Sequence, residues 1–215
     1  MPTADKSPPK PTSTHPTIAE LRAPLPVPSN GNGTKGTFSI YATRPINAPA
    51  HKLLKATLAH NQYSKWNTFA PDLTITSQPP PASHPAKALW RPNELQPGTV
   101  FTMRTYWDGS GLKSAAELGQ ATVTQVRVEA VEELGDGRAG YRVVWRDVAV
   151  PGLRWGMTAE RVQEFEDVAG GGALYTTWET RGGPLAWLER LLYGRELVSM
   201  FAGWGAGLQG FVEDA

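Results

Sequence analysis

Residues 173–208 read ALYTTWETRGGPLAWLERLLYGRELVSMFAGWGAGL, and the period of the pattern changes inside them. Up to Arg181 the large residues alternate, as along a strand. From Pro184 onward Leu185, Leu188 and Leu192, then Leu197, Phe201, Trp204 and Leu208, recur at spacings of three and four, as along a helix. Gly182-Gly183-Pro184 marks the switch. The helix carries Gly203, Gly205, Gly207 and Gly210, each about 1 kcal/mol less favourable than Ala, so it forms only if something packs on it. The pattern predicts one long C-terminal helix, with Gly194 as a candidate kink, laid against a sheet.

Working upstream, the strand signal repeats. Val100–Trp107, Ala121–Leu134, Tyr141–Val150, Leu153–Val168 and Ala173–Arg181 alternate and are separated by glycine turns, which predicts an antiparallel meander. Before them come a strand over Phe38–Ile46, a short amphipathic helix over about 49–60 carrying Leu53, Leu54 and Leu58, a second helical turn over Asn61–Trp66, and a strand over Asp72–Ser77. Gln78–Pro97 holds six prolines and reads as an irregular loop anchored by Leu89-Trp90. Residues 1–36 hold eight of the chain's 19 prolines and no aromatic residue, so they read as a disordered tail before a single domain over 37–215. The tail lacks the apolar stretch of a secretory signal, which predicts a cytoplasmic protein.

The 215 residues include 21 basic and 20 acidic side chains, a net charge of +1. Such a balance offers no general field for nucleic acid. The longest uncharged apolar stretch, Leu197–Val212, is too short and too rich in glycine for a membrane span. With no cysteine there is no thiol chemistry or disulfide. The four histidines form no metal-ligand spacing, so no metal is expected. Gly31–Gly36 and Gly205–Gly210 match G-x-G-x-x-G by letter, but neither lies between a strand and a helix, so no cofactor is expected.

The eight tryptophans carry most of the information. Period-two parity puts Met103 with Trp107, Trp145 opposite in facing to Arg142 and Arg146, and Trp155 with Met157 opposite in facing to Arg154 and Glu160. Leu174, Thr176 and Trp178 form a comparable face, with Tyr175, Thr177 and Glu179 as the rival register. The rings are either an ordinary core under the helix or the wall of a cavity. Parity also turns Arg161 and Gln163 inward. A buried Arg needs a partner, so Arg161 pairs with a carboxylate, or meets a polar group of a ligand, or points outward at a bulge.

The order strand, helix, helix, six strands, long helix resembles the START/birch-pollen-allergen (SRPBCC) superfamily, in its polyketide cyclase/dehydrase-like or coenzyme-Q-binding-like branches. The matching stretches are Ile46–Pro49, Tyr63–Phe69, Glu160–Phe165 and Thr177–Leu185. The resemblance implies an α+β helix-grip fold: a seven-stranded curved antiparallel sheet around the long C-terminal helix, enclosing a hydrophobic cavity. It supplies no shared catalytic set. The candidate ligand-binding residues are Trp66, Phe69, Met103, Trp107, Trp145, Trp155, Met157, Arg161, Gln163, Thr176, Trp178 and Trp204. Room for the ligand is expected beside Gly203, Gly205 and Gly207.

Three functions fit this reading. The apolar lining favours a carrier or sequestering protein for a lipid, quinone, sterol or polyketide-like molecule. The same cavity could serve a cyclase or dehydratase using acid–base groups, and a carboxylate or tyrosine with a displaced pKa inside it would point that way. The scaffold could also act as a protein-interaction module.

Overall fold

The computed structural model describes residues 16–30, 35–80, 94–106, 122–148 and 156–214. Eight strands are present: β1 (Ile18–Arg22), β2 (Phe38–Ile46), β3 (Asp72–Ser77), β4 (Val100–Thr105), β5 (Thr122–Glu133), β6 (Gly140–Asp147), β7 (Thr158–Val168) and β8 (Gly172–Gly182). Between β2 and β3 lie α1 (Ala50–Leu58) and a 3-10 helix (His60–Lys65), and α2 (Ala186–Glu213) ends the chain. The strands form one sheet in the order β1-β2-β8-β7-β6-β5-β4-β3, every neighbouring pair antiparallel. The β5–β6 connection turns at Asp136 and Gly137, both with positive φ (61° and 77°), the backbone that an Asp-Gly pair accepts most readily.

The helix-grip architecture is as expected, but the sheet has eight strands rather than seven. The extra strand falls in the segment read as a disordered tail. Composition there is poor in large side chains, but the open edge of β2 gives it a backbone partner, from Ile18↔Thr43 to Arg22↔Ser39. Residues 23–30 then cross the outer face of the sheet. The Leu25 N–H donates to Ser39 Oγ at 2.8 Å, Thr180 Oγ1 donates to the Leu25 carbonyl at 2.9 Å, and Trp178 Nε1 donates to the Pro26 carbonyl at 2.8 Å. Val27, 2% exposed, packs on Val144 and Val162. One valine and a short edge strand thus replace the aromatic content that the composition lacks.

The outer face beyond this strap is polar and paired. Arg142 and Arg138 reach Glu164 at 2.7 and 2.8 Å, and Arg146 reaches Glu160 at 3.1 Å. Glu160 also accepts the Ser29 N–H. Two of the outward glutamates of residues 160–167, Glu160 and Glu164, are thereby buried. Burial alone would raise the Glu164 pKa, but hydrogen bonds from Arg138 and Arg142 outweigh it and hold the carboxyl below its ordinary value.

On the inner face α2 packs in two regions. Leu197 and Phe201 meet Phe38, Ile40 and Ala42 of β2. Trp204, Leu208 and Val212 join a larger cluster with α1, Tyr63, Trp66, Phe101, Trp145, Phe165 and Tyr175. The helix runs unbroken through Gly194, whose missing side chain admits Leu21 of β1. Its first turns do not pack as the spacing predicts: Leu188 and Leu192 are exposed, with Trp187, Leu191 and Tyr193 beside them.

A chain beginning at Thr37 should melt roughly 3–12 °C below the full chain. Re-exposing a buried valine costs about 1.5–3 kcal/mol, and each kcal/mol is worth roughly 2–4 °C at this size. Calorimetry of both chains checks this, and equal melting temperatures would show that β1 and the strap contribute nothing.

Candidate ligand-binding cavity

Strand register sets the inner face. Trp145, Arg161 and Glu179 stand directly opposite one another across β6, β7 and β8. One step along, Val143, Gln163 and Thr177 form the next row. One step the other way, Ala159 faces Arg181, and Asp147 ends β6 on the same side as Trp145. Same-face neighbours in an antiparallel sheet are within side-chain reach, so these rows form one wall.

Above the wall, α2 places Trp204. Its ring meets those of Tyr63, Trp66 and Trp145 with centroids 5.6, 5.6 and 5.9 Å apart, all edge-on. Two glycines make that seat possible. A Cβ on Gly203 would strike the Phe69 ring, and one on Gly207 would strike the Trp66 carbonyl oxygen. The helix therefore approaches the 66–69 segment as closely as its backbone allows. The expected slot beside Gly203, Gly205 and Gly207 is not there: Phe69 and Trp66 fill two of its positions, and Arg44 and Tyr175 lie at ordinary contact distance from the third.

The open space lies nearer the start of α2. A cavity of about 130 Å³ is lined by Phe69, Met103, Leu197, Met200, Phe201 and Trp204 on its apolar side, with the hydroxyls of Thr105, Thr122 and Thr124. Arg161, Arg181, Asp147, Glu179 and Glu189 supply its charge, and Met157 stands at the rim. That volume is close to the roughly 150 Å³ that accommodates a benzene ring.

The charges fall into two groups. Arg181 holds Glu179 at 2.6 Å and Glu189, from α2, at 3.7 Å. Burial works against the Arg181 charge, but Glu179, Glu189 and Asp147 around it keep its pKa above the ordinary value. Burial pushes Asp147 up from 3.8 to about 7; Arg181 opposes this, and Glu179 and Glu189 add to it. Glu189 is raised for the same leading reason. Arg161 forms the second group. It is 6% exposed, with its guanidinium carbon 4.0 Å from the centre of the Trp204 ring and 4.4 Å from that of Phe201. Its Nε donates to Thr177 Oγ1 at 3.1 Å and its terminal nitrogen to the Tyr175 hydroxyl at 3.3 Å, which donates in turn to Gln163 Oε1. Burial raises the Tyr175 pKa despite Arg161, so the phenol is neutral.

Of the predicted residues, Phe69, Met103, Met157, Arg161 and Trp204 line the cavity. Trp66 and Trp145 lie behind the lining as core, and Gln163 is fully buried beside Arg161's partners. Trp107 and Trp155 lie outside the described residues. Thr176 and Trp178 are corrections. The rival register holds: Tyr175, Thr177 and Glu179 face inward, because Tyr175 stacks on Phe165 inside the core. Trp178 covers Val144 and Val162 on the outer face, and Thr176 meets Thr43. Arg161 does point inward, and among the described residues it has no carboxylate partner, one of the three options for it. The sequence reading missed Asp147 and Glu189 as site residues. Extending the parity of Trp145 by two positions would have found Asp147; nothing in the helical spacing distinguished Glu189.

No family model matches the chain. The "Oxopyrrolidines biosynthesis cluster protein O" of Penicillium oxalicum (strain 114-2 / CGMCC 5302) is 29% identical over 177 residues, covering 78% of this chain and 83% of that protein. Among solved structures, a STAR-related lipid transfer protein (fragment 25–204) from Xanthomonas axonopodis has a TM-score of 0.52 at 12% identity, covering 82% of this chain and 86% of its own. The di-domain ARO/CYC StfQ from the steffimycin biosynthetic pathway has a TM-score of 0.50 at 12% identity; 82% of this chain matches 51% of that one. The resemblance read from the sequence therefore holds for the fold, which is the helix-grip fold that START-like proteins share. Among the described residues no helix is long and apolar enough to cross a membrane.

Two predictions follow from the site's geometry. Gly207→Ala should destabilise, because the new Cβ meets backbone at Trp66. Gly210→Ala, with nothing within 4 Å, should stabilise by up to about 1 kcal/mol. Equal effects in denaturant titrations would refute the close helix seat. The second concerns pH. Asp147 binds its proton more tightly in the native chain (pKa about 7) than at its ordinary 3.8, so its contribution to stability is full at low pH. That contribution falls between about pH 4 and pH 7. Asp147→Asn should flatten the fall over that window, and an unchanged profile of stability against pH would contradict a buried, raised carboxyl.

Proposed function

We propose that this chain binds a hydrophobic small molecule inside the sheet, as a carrier or sequestering protein. The observation that carries this reading is the cavity between α2 and the inner wall. It has an apolar floor of Phe69, Met103, Phe201 and Trp204, with a few charged groups converging from one side. The likeness to a lipid transfer protein in fold, and to a biosynthesis cluster protein in sequence, supports a lipid, quinone, sterol or polyketide-like ligand. At about 130 Å³ the cavity matches one ring of such a molecule, and a longer ligand needs Met157 and Met200 at the rim to move.

A specific observation favours a second reading, a cyclase or dehydratase. Asp147, held near neutrality at about 7, can both give and take a proton at working pH. It lies in a cavity with Arg181 to steady its anion and Glu189 beside it. The shared fold with an ARO/CYC chain supports this reading too. On this account Asp147 is the acid–base group, and Arg161 and the threonine hydroxyls position the substrate.

Titration with sterols, quinones, fatty acids and aromatic polyketides should quench tryptophan fluorescence saturably for at least one class, because Trp204 lines the space. The same ligand at 100 times its Kd should stabilise the chain by about 2.7 kcal/mol in thermal melts. A panel without quenching or stabilisation would mean that the cavity holds nothing but its own side chains. Asp147→Asn separates the two roles: a carrier keeps its affinity and has no turnover to lose, whereas an enzyme keeps affinity and loses turnover.

A further inference from the structure

We infer that Arg161 receives an acidic oxygen of the ligand, so that the cavity selects an apolar or aromatic molecule bearing a carboxylate or a comparably acidic enol. The inference rests on the binding role proposed above and narrows its ligand class.

Arg161 is 6% exposed, yet among the described residues no carboxylate lies within ion-pair distance of it. An uncompensated buried charge is costly, and its partner is normally found nearby. The nearest acid by register is Glu179, directly opposite on β8, but that carboxylate is held by Arg181 at 2.6 Å. Glu189 is drawn to Arg181 as well, and Asp147, with its pKa near 7, carries only part of a charge. The acids gather on Arg181 and leave Arg161 alone. What the protein gives Arg161 is neutral: two hydroxyl oxygens and the faces of three rings, those of Trp204, Phe201 and, further off, Trp145. Ring faces stabilise a cation but accept no directed hydrogen bond of the kind a carboxylate does. A guanidinium has five N–H groups in a planar fork suited to a carboxylate, and the two bonds to Thr177 and Tyr175 leave donors over on a side chain that lines the cavity.

The surroundings repeat the same imbalance. Trp145 stands opposite Arg161 on β6, Trp204 lies over it, and Gln163 follows two positions along β7. The indole N–H groups of both tryptophans and the amide NH₂ of Gln163 are buried and find no acceptor among the described residues. Donors are in excess around Arg161. Buried donors are rarely left unmatched, and of these groups Arg161 and Trp204 line the cavity, where the acceptor oxygens of an occupant would meet them.

The test is calorimetric titration of 2-naphthoate and of its neutral amide, 2-naphthamide, at pH 7.5, into the full chain and into Arg161→Gln and Arg161→Lys. The wild type should bind naphthoate at least tenfold more tightly than naphthamide. Arg161→Gln should bring the two within about twofold, with little change for naphthamide. Arg161→Lys should retain part of the preference, because a point charge lacks the two-pronged geometry. Equal affinity for the two probes on the wild type, or a preference undiminished in Arg161→Gln, would overturn the inference while leaving the cavity intact as a binding site. If neither probe binds, the cavity reading falls and this inference with it. If Arg161→Gln fails to fold, the matched pair on Arg161→Lys decides: a weakened preference supports the inference, and an unchanged one refutes it.

Discussion

The contact between Trp204 and Arg161 is the constraint on which the rest of the structure depends. A helix with five glycines, four of them between residues 203 and 210, has little reason to form alone. It forms because Trp204 fits among Tyr63, Trp66 and Trp145 and covers Arg161, a buried cation that has no carboxylate partner among the described residues. That seat requires the backbone of α2 to approach Phe69 and Trp66 without side chains between them, so Gly203 and Gly207 are part of the same device. The first turns of α2, anchored by Ala186 and by Glu189 on Arg181, leave Trp187, Leu191 and Leu192 exposed.

Two consequences reach the site. Because α2 fits closely against the 66–69 segment, the cavity lies toward its start, between Leu197, Phe201 and the ends of β4 to β8. The lining there comes from strand ends, where inward positions are no longer purely apolar: Asp147 closes β6 and Arg181 lies one residue from the end of β8. An apolar floor with a charged flank is the outcome. Within that flank the charges are unevenly shared. Arg181 draws Glu179 and Glu189 to itself, burial holds Asp147 close to neutral against the pull of Arg181, and Arg161 is left without an anion among the described residues. The same arrangement thus produces both the acid–base candidate and the vacant cation.

Much of the fold could be read from the sequence because two periods carry it. The switch from alternation to three-four spacing at Gly182-Gly183-Pro184 locates the start of α2, and the parity of Trp145 and Arg161 correctly turns both inward. Three features could not be read this way. β1 is specified by an open sheet edge rather than by its own residues, so composition hides it. The facing of β8 was ambiguous because Trp178 is large enough for a core. What decides it is long-range: Tyr175 stacks on Phe165, and the Pro26 carbonyl waits for the Trp178 indole on the other face. The glycines of α2 suggested empty space, whereas they mark close approach; a missing side chain is equally consistent with either until the neighbour is known. Charged residues at strand ends read by default as solvated, which is why Asp147 passed unnoticed.

The central claim is that the space beneath α2 is built to hold a small hydrophobic molecule. Native mass spectrometry of the purified chain tests it most directly. The account predicts a population heavier than the bare chain by a fixed small-molecule mass, lost on denaturation, or an adduct of that kind after incubation with 2-naphthoate. Bare chain alone, before and after that incubation, would contradict it.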